Sequence, residues 1–437
     1  MLASGILKIK DFNKKIVVLT LHYLAERKGM GINTFVYGTG NPAKLTHMRK
    51  MITPLDVQII GLKEIGVTLP KVDESGNTPL ENARIKALAY YGVLKRPIFA
   101  CDSRMYIDGL SEDEQPGIHV RMVNGKRLND DEMVAHYAAI AGRLGGKVVA
   151  RYRNAICLVM GNGEIYEHFG GDIASEAFYI VDVPHIKQVE GFPLDSLSVN
   201  IHAGRYHYEE SDVCLDNDGG MTCGFRAFFK QILEQHEMKK HYDALIDENN
   251  DPVHDPEPLR EYMDKWDGAA FIEALQLSPG KSVLEIGVGT GRLAIRVCGQ
   301  CYRFTGIDIS PKTIEHAKGN LQAFTNTELI CGNFLAYQFG KTFDVIYSSL
   351  TFLHIQDKWA AIQKVACLLN RGGRFVLSID KNQQTEIDFG NRKVIVYPNS
   401  PKEISRLISE AELILERQFE TEFAVIFVAQ KVDTSCS

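Results

Sequence analysis

The residues best suited to do chemistry fall into two groups. In the first, Glu285-Ile-Gly-Val-Gly-Thr-Gly291 ends an apolar run in an acidic residue and follows it with three glycines at alternate positions. A second apolar run then ends at Asp308. Glycines let a strand-to-helix turn approach a ligand, and a carboxylate at the tip of the next strand can hold two ribose hydroxyls. The expected chemistry is nucleotide-type cofactor binding by Glu285, Gly287, Gly289, Gly291 and Asp308. In the second group, Thr39-Gly-Asn-Pro-Ala-Lys44 joins a glycine turn to a lysine on the next helix, which makes a phosphate cradle. Downstream, Glu74 precedes a helix that carries Glu81, Asn82 and Lys86, and Asp102 ends a strand. Carboxylates beside a phosphate cradle point to Mg2+, because that ion shares hard oxygen ligands with phosphate.

These side chains need elements to hold them. Around the cradle, the pattern predicts a strand over 34–37, a helix over 43–52, a strand over 57–60, a helix over 79–91 and a strand over 97–100. Paired strands are expected over 148–160 and 164–169, around the Gly161-Asn-Gly163 turn. Residues 209–224 are acidic and irregular, and 225–242 read as a helix with Phe228, Phe229, Ile232 and Leu233 on one face. The proline-broken stretch 247–256 cannot continue that helix. Beyond it come a helix over 258–275 and strands over 282–286, 303–307, 327–331, 343–348 and 373–379. Such alternation predicts an α/β fold with a doubly wound parallel sheet. The expected division is an N-terminal extension (1–32), an α/β domain (33–208), a linker and helix (209–240) and a second α/β domain (241–437).

Bulk composition narrows the classes. A chain of 437 residues exceeds one ordinary core. A net charge of -6 disfavours nucleic acid as a dominant partner. The nine cysteines are scattered, which argues against a disulfide framework, and Cys298-Gly-Gln-Cys301 has no second pair to complete a metal site. No apolar segment reaches membrane-spanning length. Residues 6–24 mix lysines with apolar residues but lack a small-residue cleavage site. The expected location is therefore cytoplasmic, with Met30 as an alternative start.

With its E-x-G-x-G-x-G turn and the acidic tip of the second strand, the segment 241–437 closely resembles class I S-adenosylmethionine-dependent methyltransferases. The resemblance implies a Rossmann-like fold and S-adenosylmethionine as cofactor. It puts Glu285, Gly287, Gly289 and Gly291 beside the methionine part and Asp308 on the ribose. Asn333 falls where many members carry an aspartate touching the adenine, and Ser348 follows the fourth strand near the methyl donor. His354, just past that strand, is the candidate general base, with Tyr347 and Asp380 as further candidates; a histidine there also serves to pack or cap a helix. The expected acceptor is a small molecule, by elimination.

Residues 33–200 resemble the non-canonical purine nucleoside triphosphate pyrophosphatases, the inosine triphosphatase-like family, through T-G-N-x-x-K, E-x-G-x-T-x-x-E-N-A and Asp102-Ser103, where the family has a D-D-S-G turn. The resemblance implies that Thr39, Asn41 and Lys44 hold phosphates, with Lys86 in the same substrate site. It implies that Glu74 binds Mg2+ together with Asp102, that Asp102 activates water, and that Phe192 stacks on a purine. It also implies a purine nucleoside triphosphate substrate and a homodimer. Departures are marked: Cys101 replaces the first of two aspartates, Arg104 replaces a glycine, and the purine-reading S-H-R motif is replaced at best by His202 or His207 with Arg205. The expected function is methyl transfer to a small molecule with an appended pyrophosphatase-like domain. Two alternatives stand beside it: a pyrophosphohydrolase with a cofactor-sensing module, and a nucleotide-gated binding protein.

Overall fold

A computed structural model of the chain describes residues 33–209 and 220–432. The expected N-terminal extension, with Met30, and residues 210–219 of the acidic stretch lie outside the described residues. The chain divides into two compact units, Met1–Ile232 and Leu233–Ser437. No helix among the described residues is long and apolar enough to cross a membrane.

The N-terminal unit is built on a mixed sheet. Strand β1 (Asn33–Tyr37) leads through the Gly38–Asn41 turn into α1 (Pro42–Ile52), then β2 (Val57–Gly61). Asn41 starts α1 by accepting from the amides of Ala43 and Lys44, at 2.9 and 3.3 Å. Helix α2 (Pro79–Leu94) is capped by Thr78, whose hydroxyl accepts from the Glu81 amide, and proline occupies its first turn. Strand β3 (Ile98–Ile107) follows. The sequence places Asp102 at a strand end; the observed strand runs on through it, because a full antiparallel ladder with β6 (Lys147–Val159) satisfies its backbone from Ile98 to Ile107. Between them lie the short hairpin β4 (Met122–Val123) and β5 (Lys126–Arg127), and α3 (Asp130–Arg143). Strands β7 (Ile165–His168), β8 (Phe178–Val181) and β9 (Ser198–Asn200) complete a sheet of order β2-β1-β3-β6-β8-β9, with β7 also on β6. Helix α4 (Met221–Asp247) contains the division between the units. Its N-terminal part seals one sheet face: Phe229 is fully buried, with its ring 5.0 Å from Phe99 and 5.7 Å from Phe35.

The main sheet of the C-terminal unit has seven strands: β10 (Ser282–Ile286), β11 (Arg303–Asp308), β12 (Thr327–Cys331), β13 (Phe343–Ser349), β14 (Leu369–Asp380), β17 (Leu413–Glu420) and β18 (Ala424–Lys431). Their order is β12-β11-β10-β13-β14-β18-β17. The first five are parallel, as the alternation predicts, and β18 and β17 add an antiparallel edge. Helices α7 (Ala294–Val297), α8 (Pro311–Asn320), α9 (Lys358–Leu368) and α10 (Pro401–Glu410) are the connections, and a two-stranded ribbon, β15 (Glu386–Asp388) with β16 (Lys393–Ile395), stands apart. Helix α10 shows why it packs: Ile404, Leu407 and Ile408 recur at helical spacing and are buried. The expected helix over 258–275 is instead two, α5 (Glu257–Met263) and α6 (Gly268–Ala274). Gly268 takes a φ of +66°, and Asp267 caps the new start by accepting from the Gly268 amide at 2.8 Å. Asp344 ties strand starts together, accepting from the amide and hydroxyl of Ser282 and from Asn370.

The sheet core tolerates no void. Phe375 in β14 is fully buried. Phe375→Ala should destabilise the C-terminal unit by about 3–5 kcal/mol, read as a lower urea midpoint; an unchanged midpoint contradicts this packing.

Candidate active sites

In the C-terminal unit the strand order reverses between β10 and β13, and crevices for ligands form at the carboxyl ends of strands at such a switch. Gly287, Gly289 and Gly291 follow β10 with φ of +78°, +56° and +100°, a region that side chains resist. A methyl group at Gly287 would strike Thr351, whereas Gly289 faces open space. Asp308, the last residue of β11, is fixed by two backbone donors: Gly289 N–H at 3.1 Å and Ser310 N–H at 3.0 Å. Each bond uses a different carboxylate oxygen, so lone pairs remain for a ligand's hydroxyls. Burial raises the Asp308 carboxyl above its usual range, against the lowering by these amides.

Glu285 is buried within β10 and accepts from the Tyr347 hydroxyl at 2.8 Å. Desolvation pushes its carboxyl up to about 8, although Tyr347 and Arg292 favour the charged form. Asp267 is also buried and is held by both guanidinium nitrogens of Arg292 and by the Ser349 hydroxyl at 2.8 Å. Sequence reasoning missed the Asp267–Arg292 pair; the Asp-Gly dipeptide at 267–268 was the available signal. Asn333 spends its carbonyl on the Leu335 amide at 2.8 Å. Ser348, expected near the methyl donor, is fully buried and its hydroxyl donates to the Ile286 carbonyl at 2.9 Å, which ties β13 to β10. The thiols of Cys298 and Cys301 are buried, which raises both above the usual range.

His354 lies in a short turn after β13 and shares a 2.6 Å hydrogen bond between Nε2 and the Tyr242 hydroxyl of α4. Its Nδ1 is buried without a partner. Desolvation, then the neighbouring His241 and Lys358, hold the ring down to about 3, so it is neutral at physiological pH and a weak base. Tyr242 sits close enough to Asp308 for that carboxylate to raise its phenol, after burial. The adjacent Asp243 accepts from the Ser310 hydroxyl at 2.7 Å. Helix α4 thus supplies Tyr242 and Asp243 to this edge, a contribution the sequence reading did not foresee.

In the N-terminal unit, Lys86 Nζ lies 3.2 Å from both a Glu74 oxygen and an Asp102 oxygen. The Lys86 and Asp102 side chains are only 11% and 14% exposed. Lys44 is solvent-accessible yet ringed by protein; that crowding, and then the Lys86 charge, hold its ammonium below the ordinary lysine range. Asn41, expected on phosphate, spends its side chain otherwise: the oxygen caps α1 and the nitrogen donates to the Gly191 carbonyl at 3.1 Å. It therefore locks the 191 loop to the cradle, and Thr39 accepts from the Asn41 amide at 3.2 Å. Phe192 meets His47 edge-on, with ring centroids 6.2 Å apart. His202, Arg205 and His207 are all exposed, and His207 is near enough to act electrostatically on His47 and Asp195. Burial pushes the Cys101 thiol up to about 12 while Tyr37 hydrogen-bonds it. A neutral thiol is a poor Mg2+ ligand, so Cys101 adds no hard donor to those of Glu74 and Asp102.

The buried Glu285 has a titration consequence. Its folded carboxyl near 8 lies above the ordinary value of 4.5, so the folded state binds more protons between those values and stability falls as pH rises through that window. His354 and His241, both held low, add the opposite slope below the ordinary histidine value of 6.5. Between pH 6.5 and 8, wild type should lose stability and Glu285→Gln should flatten that loss in urea titrations. Identical slopes would contradict a protonated Glu285.

Comparison with known proteins agrees with both geometries. The model of the Ham1 family matches residues 35–196, and that of a methyltransferase domain matches residues 283–373. The dITP/XTP pyrophosphatase of Symbiobacterium thermophilum is 32% identical over 199 residues, 45% of this chain and 92% of that protein. That of Rhodopseudomonas palustris is 32% identical over 136 residues, 30% of this chain and 63% of that protein. An uncharacterized methyltransferase of Alkaliphilus oremlandii is 33% identical over 111 residues, 25% of this chain and 50% of that protein. The chain spans less than two thirds of the length of the first curated relatives it matches. Through residues 35–196 the chain belongs to the Ham1 family, and its C-terminal half carries a methyltransferase domain.

Proposed function

We propose that the protein transfers a methyl group from S-adenosylmethionine to a small molecule and that its Ham1 domain binds a purine nucleoside triphosphate. The observation that carries the first part is the partly buried Asp308 carboxylate, held by Gly289 and Ser310 with lone pairs to spare beside a glycine turn. The residues fit the cofactor: Asp308 would accept from ribose hydroxyls, and the open face of Gly289 admits a ligand against the backbone. S-adenosylmethionine supplies an electrophilic methyl sulfonium. The protein's task is alignment and exclusion of water, with Tyr242 and His354 at the same edge. A neutral His354 can accept a proton, yet its low basicity suits an acceptor that needs little general-base help.

For the Ham1 domain, Thr39 and Lys44 would hold phosphates, and Glu74 and Asp102 would hold one Mg2+ in company with the phosphate oxygens. The Lys86 ammonium between the two carboxylates marks a position that already favours a cation. Asp102, polarised by Lys86, would orient the attacking water. The further readings of cytoplasmic location and homodimer formation belong to this proposal as well.

Two substitutions test it in the full chain. Asp308→Ala should weaken S-adenosylmethionine binding at least a hundredfold by calorimetry; unchanged affinity sinks the first assignment. Asp102→Asn should lower any Mg2+-dependent pyrophosphate release from ITP or XTP by at least a hundredfold while leaving S-adenosylmethionine binding intact. Release that ignores Asp102 would overturn its role.

A further inference from the structure

Arg104 and Arg153 are directly opposed in the β3–β6 ladder, so their side chains share one face of the sheet. A single ring confirms it: the Arg104 guanidinium lies 4.7 Å and that of Arg153 5.8 Å from the centroid of Tyr106. Like charges placed opposite each other across a ladder repel. Neither arginine has a carboxylate partner among the described residues, although neighbouring Arg151 pairs with Asp108, Arg84 with Glu167 and Arg121 with Asp130. Arg104 Nε is buried and without an acceptor, beneath the loop at Gly117. A buried cationic donor that lacks its acceptor is costly, and the exposed Arg153 opposite it adds like-charge repulsion.

An anion between them removes both costs. Asp102 lies two residues from Arg104 on the same face, about 7 Å along the strand, so this position borders the Glu74–Lys86–Asp102 cluster. The side chains of Glu74 and Asp102 make the cluster itself unsuited to a bare anion, and the arginine pair lies beyond them. We infer that Arg104 and Arg153 form an oxyanion subsite, separate from the Thr39–Lys44 cradle, that takes a phosphoryl group. Planar guanidinium forks match the oxygens of phosphate, and the Tyr106 ring fixes their orientation. The residue that departs most from the family pattern thereby acquires a function. This subsite goes beyond the proposed activities, because it requires neither hydrolysis nor methyl transfer.

The test is calorimetry on the full chain without divalent metal, using inorganic pyrophosphate and then ITP. Wild type is compared with Arg104→Gly, Arg153→Gln and the control Arg84→Gln. Pyrophosphate affinity should fall at least tenfold in each of the first two and stay unchanged in the control. The ligand-free melting temperature of Arg153→Gln should equal or exceed wild type, because the repulsion is gone. If ITP affinity falls in parallel, the subsite holds the nucleotide's own phosphates; if pyrophosphate alone weakens, it holds the free anion. Either result supports the oxyanion subsite. Unchanged pyrophosphate affinity in Arg153→Gln overturns it, and that variant decides alone if Arg104→Gly fails to fold, because Arg153 is exposed.

Discussion

A carboxylate can be desolvated at a strand tip only if donors are already in place to meet it. That constraint shapes the C-terminal site. Asp308 is held by amides of Gly289 and Ser310, so the turn after β10 and the turn after β11 must fold against one another. The positive φ of Gly289 presents that amide, and Pro311 with the Ser310 cap starts α8 at the right place. Around it, Asp267 is satisfied by Arg292 and Ser349, and Glu285 by Tyr347. Three acidic groups are thus gathered at one sheet edge without being left unpaired.

The N-terminal unit meets the same constraint with a side chain. Lys86 stands between Glu74 and Asp102 and balances charges that the backbone does not reach. Asn41 ties the cradle turn to the loop at Gly191, which in turn is held by Asp130 at 2.9 Å. The loop carrying Phe192 is therefore positioned by a residue whose type alone suggested a phosphate ligand. Cys101, where the family pattern has an aspartate, is neutral and hydrogen-bonded to Tyr37, so the site holds one carboxylate fewer.

Much of this was legible in the sequence because it is local. Alternate glycines after Glu285 and an acid ending the next apolar run need only the strand period and a tight turn to become a site. The cradle at 39–44 is equally local. Partners distant in the chain were not legible. Arg292 reaches back 25 residues to Asp267, and His354 meets Tyr242 across 112. The 104–153 pairing is a matter of register, which neither composition nor spacing encodes. The bond from the Ser348 hydroxyl to the β10 carbonyl of Ile286 is likewise a matter of strand pairing, 62 residues apart. The expected helix over 258–275 breaks after Met263 and restarts at Gly268, whose positive φ a continuous helix does not accommodate.

The central claim is that the carboxyl edge of the C-terminal sheet is a preformed cofactor site. Hydrogen exchange on the full chain, with and without saturating S-adenosylmethionine, addresses it most directly. The account predicts slowed exchange confined to peptides spanning 287–291, 308–310 and 240–244, because Gly289 and Ser310 amides and helix α4 border Asp308. Unchanged exchange in those peptides, or protection appearing only elsewhere, would contradict it.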